Sequence, residues 1–194
     1  MLIKPNTRPC TSFLRVNKQL HREVLSHFYS THDFVVEDGC YPSVDPLPFL
    51  RSLEPVKWSL RSLTVDCRWF PGYWDDAVKS ENEKVFGMIA QGTSLETLRV
   101  VMRPGAVCKA IKRDNGEDII EKSDVEALVA LFVKLPAMEA MMSVRVTESV
   151  RLELPEEIPQ WSGCDLLEEC GKKEEFLKMV NVELGERMRV TRLE

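Results

Sequence analysis

From Phe13 to Val36 the apolar positions change rhythm once, and the change marks two elements. Val16, Leu20, Val24 and Phe28 recur every four residues, flanked by Phe13, Leu25 and Tyr29, while Arg15, Lys18, Arg22 and Glu23 fall mostly on the opposite side. That spacing predicts an amphipathic helix. Thr11 or Ser12 can cap its start, because a hydroxyl there accepts from the unpaired first amides. The run Phe34-Val35-Val36 then reads as a short strand.

Two later segments share an L-x-x-L-x-V pattern: Leu60-Arg-Ser-Leu63-Thr-Val65-Asp-Cys67 and Leu95-Glu-Thr-Leu98-Arg-Val100-Val. In strands, Leu63 and Val65 point to one face, as do Leu98 and Val100, because side chains alternate. Each segment follows a helix-compatible stretch, Pro46–Leu53 and Asn82–Gln91. A third unit is expected at Val125–Leu135, with Ser123 and Glu126 as a capping box, followed by a strand over Met142–Thr147. Helix–strand order repeated in this way implies crossover connections and a mainly parallel sheet. The fold class is therefore α/β, an irregular leucine-rich-repeat-like stack of helix–strand units. An α+β single domain remains the alternative.

The chain reads as a single domain over residues 1–194, with a flexible N-terminus at 1–11. Glu37–Asp45, which holds Gly39 and Pro42, is expected to be a loop. So is 103–122, a long charged stretch containing Pro104-Gly105 and Asn115-Gly116; the second pair favours a tight turn and a small hairpin excursion. Asp165–Met179 reads as a helix through Leu166, Leu167, Cys170, Phe176 and Met179, and the tail Val182–Leu193 as a last strand or a frayed end.

A net charge of −5 argues against a general nucleic-acid or anionic-membrane binder, which needs a basic face. The patch Lys109-Ala-Ile-Lys112-Arg113 is diluted by Asp114, Glu117 and Asp118. No apolar run is long enough for a membrane span, and the first ten residues lack the apolar stretch of a signal peptide. The six cysteines are scattered, which points to free thiols and an intracellular location, cytoplasmic or nuclear.

Catalytic constellations are not legible, and no cofactor motif or metal-ligand set stands out. His21 and His27 lie six apart, roughly 240° around a helix, so they do not share a face as a metal pair must. Cys67, beside Arg68 at a strand end, is the nearest candidate nucleophile, although a cysteine in that register is more often a small buried residue. The segment Arg68-Trp69-Phe70-Pro-Gly-Tyr73-Trp74 packs four aromatics around a Pro-Gly turn. Arg68, Trp69, Phe70, Tyr73 and Trp74 have the composition of a binding hot spot; the same residues would also serve as a lid over the stack.

The order Leu14-Arg-Val-Asn-Lys-Gln-Leu20, then Glu23, Phe28-Tyr29-Ser30 and Phe34, resembles a helix in a large group of fungal proteins related to F-box proteins. A fainter likeness runs from Phe49-Leu-Arg-Ser-Leu53 to Asp66. Members of that group carry an F-box-like helix ahead of this pattern, and nothing before Phe13 matches it. The resemblance implies a substrate-recognition module without its F-box. Its partner would be a protein, with the ubiquitin-ligase adaptor a secondary candidate. Two functional classes follow: a non-enzymatic protein-interaction domain, and a small intracellular enzyme acting through Cys67.

Overall fold

The computed structural model describes residues 18–37, 59–66, 86–91, 94–116, 118–155 and 166–189. Among the described residues, four strands form one sheet in sequence order: β1 (Asp33–Glu37), β2 (Ser62–Asp66), β3 (Ser94–Val101) and β4 (Arg145–Glu153). Every pairing is parallel, so the protein has an α/β fold. Helix α1 (Lys18–Thr31) precedes β1, and residues 86–91 form α2, ahead of β3. Between β3 and β4 come α3 (Pro104–Asn115), α4 (Ile119–Lys122), α5 (Val125–Phe132) and α6 (Pro136–Met142). After β4 come α7 (Leu166–Glu169) and α8 (Lys173–Met188).

Alternation divides the strands into two sides. Phe34, Leu63, Val65, Leu98, Val100, Val146 and Leu152 enter one core together with Ile111, Leu128, Phe132, Met138, Phe176 and Leu184 from the helices. Phe132 and Phe176, both fully buried, meet edge to face at 5.4 Å between ring centroids. The helices thus cover the apolar side of the sheet. Helix α8 lies along β4 and packs on α5.

The expected helix–strand pair near the N-terminus is present over the described residues, but its buried side differs. Leu20 and Val24 are 40% and 41% exposed, whereas Leu25, Phe28 and Tyr29 pack on the core. The ring of Phe34 at the start of β1 explains this, because it meets Tyr29 at 4.8 Å and Phe28 at 5.6 Å and so sets the rotation of α1. Burial raises the Tyr29 phenol above its ordinary pKa.

The stretch 103–122, expected as a long charged loop, is instead two helices. Pro104 starts α3 where its missing amide costs nothing, and Val107, Ala110 and Ile111 bury its inner face. Gly116 at φ +97° ends it, with its amide donating to Lys112 O at 2.8 Å. Among the described residues no hairpin forms there. The cap of α5 is Asp124, whose carboxylate accepts from Ala127 N at 2.8 Å, one residue beyond the expected capping box.

The strand of the third unit, β4, also lies later than the expected Met142–Thr147. Met142 ends α6, and β4 runs from Arg145 to Glu153. The pairing steps from Leu95↔Val146 to Thr97↔Ser149, so Glu96 opposes both Thr147 and Glu148. This bulge interrupts the period-two pattern on which sequence reading depends.

The final helix is likewise split and longer than expected. Gly171, at φ +65°, closes α7, and α8 continues to Met188 through the stretch expected as a strand or frayed end. Between them, Lys172 Nζ donates to three backbone carbonyls: Ile120 O at 2.5 Å, Ser123 O at 2.9 Å and Glu121 O at 3.1 Å. One ammonium thereby satisfies carbonyls left open at the end of α4 and ties that turn to α8.

The outer edge of β4 is protected by α8. Asn181 accepts from Leu152 N at 2.6 Å and donates to Leu152 O at 3.1 Å, reproducing a missing neighbouring strand. Arg189 forms a parallel bridge with Val146 and donates to Glu148 O at 3.2 Å. Both devices block edge-to-edge pairing along β4.

Candidate functional site: the open face of the sheet

The polar side of the sheet carries the most organised set of polar side chains among the described residues. Parallel register aligns them in rows across the strands. Ser62, Thr97 and Ser149 form one row, and Thr64, Arg99 and Arg151 the next. Asp66, Val101 and Glu153 form the row nearest the strands' C-terminal ends.

Within the first row, Thr97 Oγ1 donates to Ser62 Oγ at 2.8 Å. The second row sets two guanidinium groups side by side, an arrangement that by itself is repulsive. Glu153 resolves it. Its Oε2 accepts from Arg99 Nη2 at 2.5 Å, and its Oε1 lies 3.3 Å from Arg151 Nε. The hydrogen bond from Arg99, with the positive charge of both arginines, holds the Glu153 carboxyl below the ordinary glutamate range.

Both guanidinium groups still face outward, since their side chains are 54% and 73% exposed. Both cations contact the Glu153 carboxylate, and the register puts Asp33 and Asp66 on the same side of the sheet. At the N-terminal end of the face, Arg61 pairs with Glu96 at 3.2 Å, and Arg145 stands exposed at the start of β4.

A shallow depression of about 110 Å³ lies beside this face, between β4 and α8. It is lined by Val150, Asn181, Gly185 and Arg189, among others. Asn181 and Arg189 there are engaged in sealing the strand edge, and Glu148 and Ser149 complete the lining.

Among the described residues, no group of three or more His, Cys, Asp or Glu side chains is placed to hold a metal ion. Cys108 is buried and Cys170 half-buried, both as free thiols. His32 Nδ1 lies 2.9 Å from Phe28 O, its ring stacked at 4.4 Å on Phe28. The candidate nucleophile Cys67 and the aromatic segment Arg68, Trp69, Phe70, Tyr73 and Trp74 lie outside the described residues, as does the expected flexible terminus at 1–11.

Sequence reading passed over Arg99, Arg151 and Glu153. The local signal was present in Leu98-Arg-Val and Val150-Arg-Leu-Glu, where charged residues alternate with apolar ones. Only the register shows that the two arginines are neighbours.

No protein-family model, no curated protein and no solved structure matches this chain. Among the described residues, no helix is long and apolar enough to cross a membrane.

Proposed function

We propose that this chain is a non-enzymatic protein-interaction domain that meets its partner across the open face of the sheet. The observation that carries the reading is the difference between the two sides of the sheet: helices bury the apolar side, while on the other Arg99, Ser149 and Arg151 are exposed and Ser62, Thr64 and Thr97 half-exposed, with Asp66 and Val101 buried at its C-terminal end. Such a face offers many side chains at a fixed spacing without disturbing the core, which suits recognition of an extended surface. The in-order parallel strands favour a leucine-rich-repeat-like stack, whose units bury themselves against their neighbours and leave one strand face for binding.

In this reading the protein is a substrate-recognition module related to the fungal F-box proteins, working in the cytoplasm or nucleus. Its principal partner is the recognised protein, and the ubiquitin-ligase adaptor is a secondary one. Trp69, Phe70, Tyr73 and Trp74, with Arg68, come soon after β2 in sequence and belong to the proposed interface as aromatic and arginine anchors.

The test is affinity capture from fungal extract with the tagged chain, its Ser149→Trp variant and a Lys134→Ala control. Ser149 is exposed on the open face, so an indole there obstructs binding while leaving the core intact; Lys134 is exposed at the end of α5. Proteins retained by the wild type and the control but lost with Ser149→Trp, at unchanged melting temperature, support the assignment. An identical set of captured proteins with Ser149→Trp refutes it.

A further inference from the structure

The outer edge of β4 is sealed at two points, with one residue between them. Asn181 bonds both peptide groups of Leu152, and the Arg189 guanidinium reaches Glu148 O. Peptide groups alternate in direction along a strand, so the N–H and C=O of Val150 also turn outward, midway between the two seals. A groove runs beside them. Its two cavities, of about 110 and 480 Å³, share Asn181, Gly185 and Arg189; Val150 lines the first and Val182 the second.

The chain leaves α8 already turned into this edge. Arg189 is extended, at φ −69° and ψ 128°, and forms a parallel bridge with Val146. Its own amide donates to Gly185 O at 3.3 Å, so the amides that alternation aims at β4 are those of Val190 and Arg192. The floor of the groove points the same way. Gly185 lies inside α8, where glycine is less stable than alanine, although a Cβ there would meet nothing within 4 Å. A segment passing over the glycine accounts for the missing side chain. At the far side Val182 is 55% exposed, an apolar surface that such a segment would cover.

We propose that residues 190–193 continue the Arg189 bridge as a fifth strand, parallel to β4, lying in the groove over Gly185 and closing the sheet edge. Four residues at about 3.3 Å each span about 13 Å, matching the four steps from Val146 to Val150, and stop short of the groups held by Asn181. The Arg192 amide then donates to Glu148 O, a carbonyl with two lone pairs, and the Arg192 C=O accepts from Val150 N–H. Leu193 lands beside Val150 and Val182.

Amide hydrogen exchange on the full chain, read residue by residue by NMR, tests the strand. The Arg192 and Val150 amides should exchange at least about tenfold more slowly than in an unstructured peptide. The Thr191 amide, aimed away from β4, should exchange close to the unstructured rate. Arg192→Pro removes the donor and should return Val150 to fast exchange, while Thr191→Pro, whose lost amide faces away, should not. Gly185→Ala should quicken exchange at Arg192 several-fold, because a methyl group enters the space the strand occupies.

An Arg192 amide that exchanges at the unstructured rate in the wild-type chain overturns the proposal, as do two proline variants that act alike. Gly185→Ala with unchanged protection overturns it too, by showing that nothing passes over the glycine. Protection that appears only as concentration rises, together with a dimer mass in light scattering, puts a second copy's tail on the edge and overturns the assignment to the chain's own.

Discussion

Lys172 gives the sharpest test of how the helical layer is held together. Its ammonium donates to three carbonyls from the 120–123 turn, at 2.5, 2.9 and 3.1 Å. Lys172→Met keeps the length of the stem and removes all three donors. A hydrogen bond to a charged group contributes roughly 1.5–3 kcal/mol net when shielded from water. The bond to Glu121 O is exposed and counts for little, while those to Ile120 O and Ser123 O are partly buried. Water reaches a half-buried site, so the expected loss is about 2–4 kcal/mol, below the simple sum. For a domain of this size each kcal/mol shifts the melting temperature by roughly 2–4 °C, so Lys172→Met should melt roughly 4–16 °C below wild type. Circular dichroism at 222 nm measures the shift, with Lys134→Met as the exposed-lysine control. Hydrogen exchange of the 119–123 peptide should quicken in the variant, because α4 loses its anchor. Lys172→Arg should recover little, since a planar fork cannot meet three converging carbonyls. If Lys172→Met melts within about 1 °C of wild type, the clamp carries no weight and the reasoning is wrong.

Three further outcomes follow from the packing and the charges. Phe132→Ala removes one ring of the buried edge-to-face pair with Phe176 and should cost roughly 3–5 kcal/mol, measured by urea unfolding. Asn181→Ala strips both hydrogen bonds from Leu152 at the sheet edge and should cost roughly 1–3 kcal/mol, with faster exchange of the Leu152 amide; unchanged protection of that amide would show that the edge is sealed by something else. Glu153 has its carboxyl pKa lowered in the folded state, so its contribution is complete above the ordinary glutamate value of about 4.3 and is lost as pH falls through the lowered one. The stability difference between wild type and Glu153→Gln should therefore be present at pH 6 to 7 and shrink under acid; a pH-independent difference contradicts the ion-pair assignment.

Legibility in the sequence followed the regularity of the pattern. The Leu63/Val65 and Leu98/Val100 alternation identified two strands and their buried face correctly, because one-sided burial enforces a strict period of two. The β4 bulge broke that period, and the strand was placed too early. The 103–122 stretch misled for a different reason. Pro104-Gly105 and Asn115-Gly116 are turn pairs in isolation, yet here they mark the start and end of α3, while its apolar residues are spaced for burial under tertiary cover. In α8, Phe176, Val180, Leu184 and Met188 recur every four residues and are all buried, so the helical spacing runs on past Met179 to the end of the helix, and the charged residues between them obscured it.

What the chain determined by itself was local: which residues turn inward on β2 and β3, where α1 and β1 meet, and the alternation of units that leads to parallel pairing. These depend on neighbours a few residues apart, and side-chain periodicity records them directly. What only the tertiary structure decided was long-range: the rotation of α1 onto Phe34, the Lys172 clamp across some fifty residues, and the meeting of Arg99, Arg151 and Glu153 on one open face. Register between strands is a relation between distant segments, set by the packing of the whole sheet against its helices. No residue's near neighbours encode it.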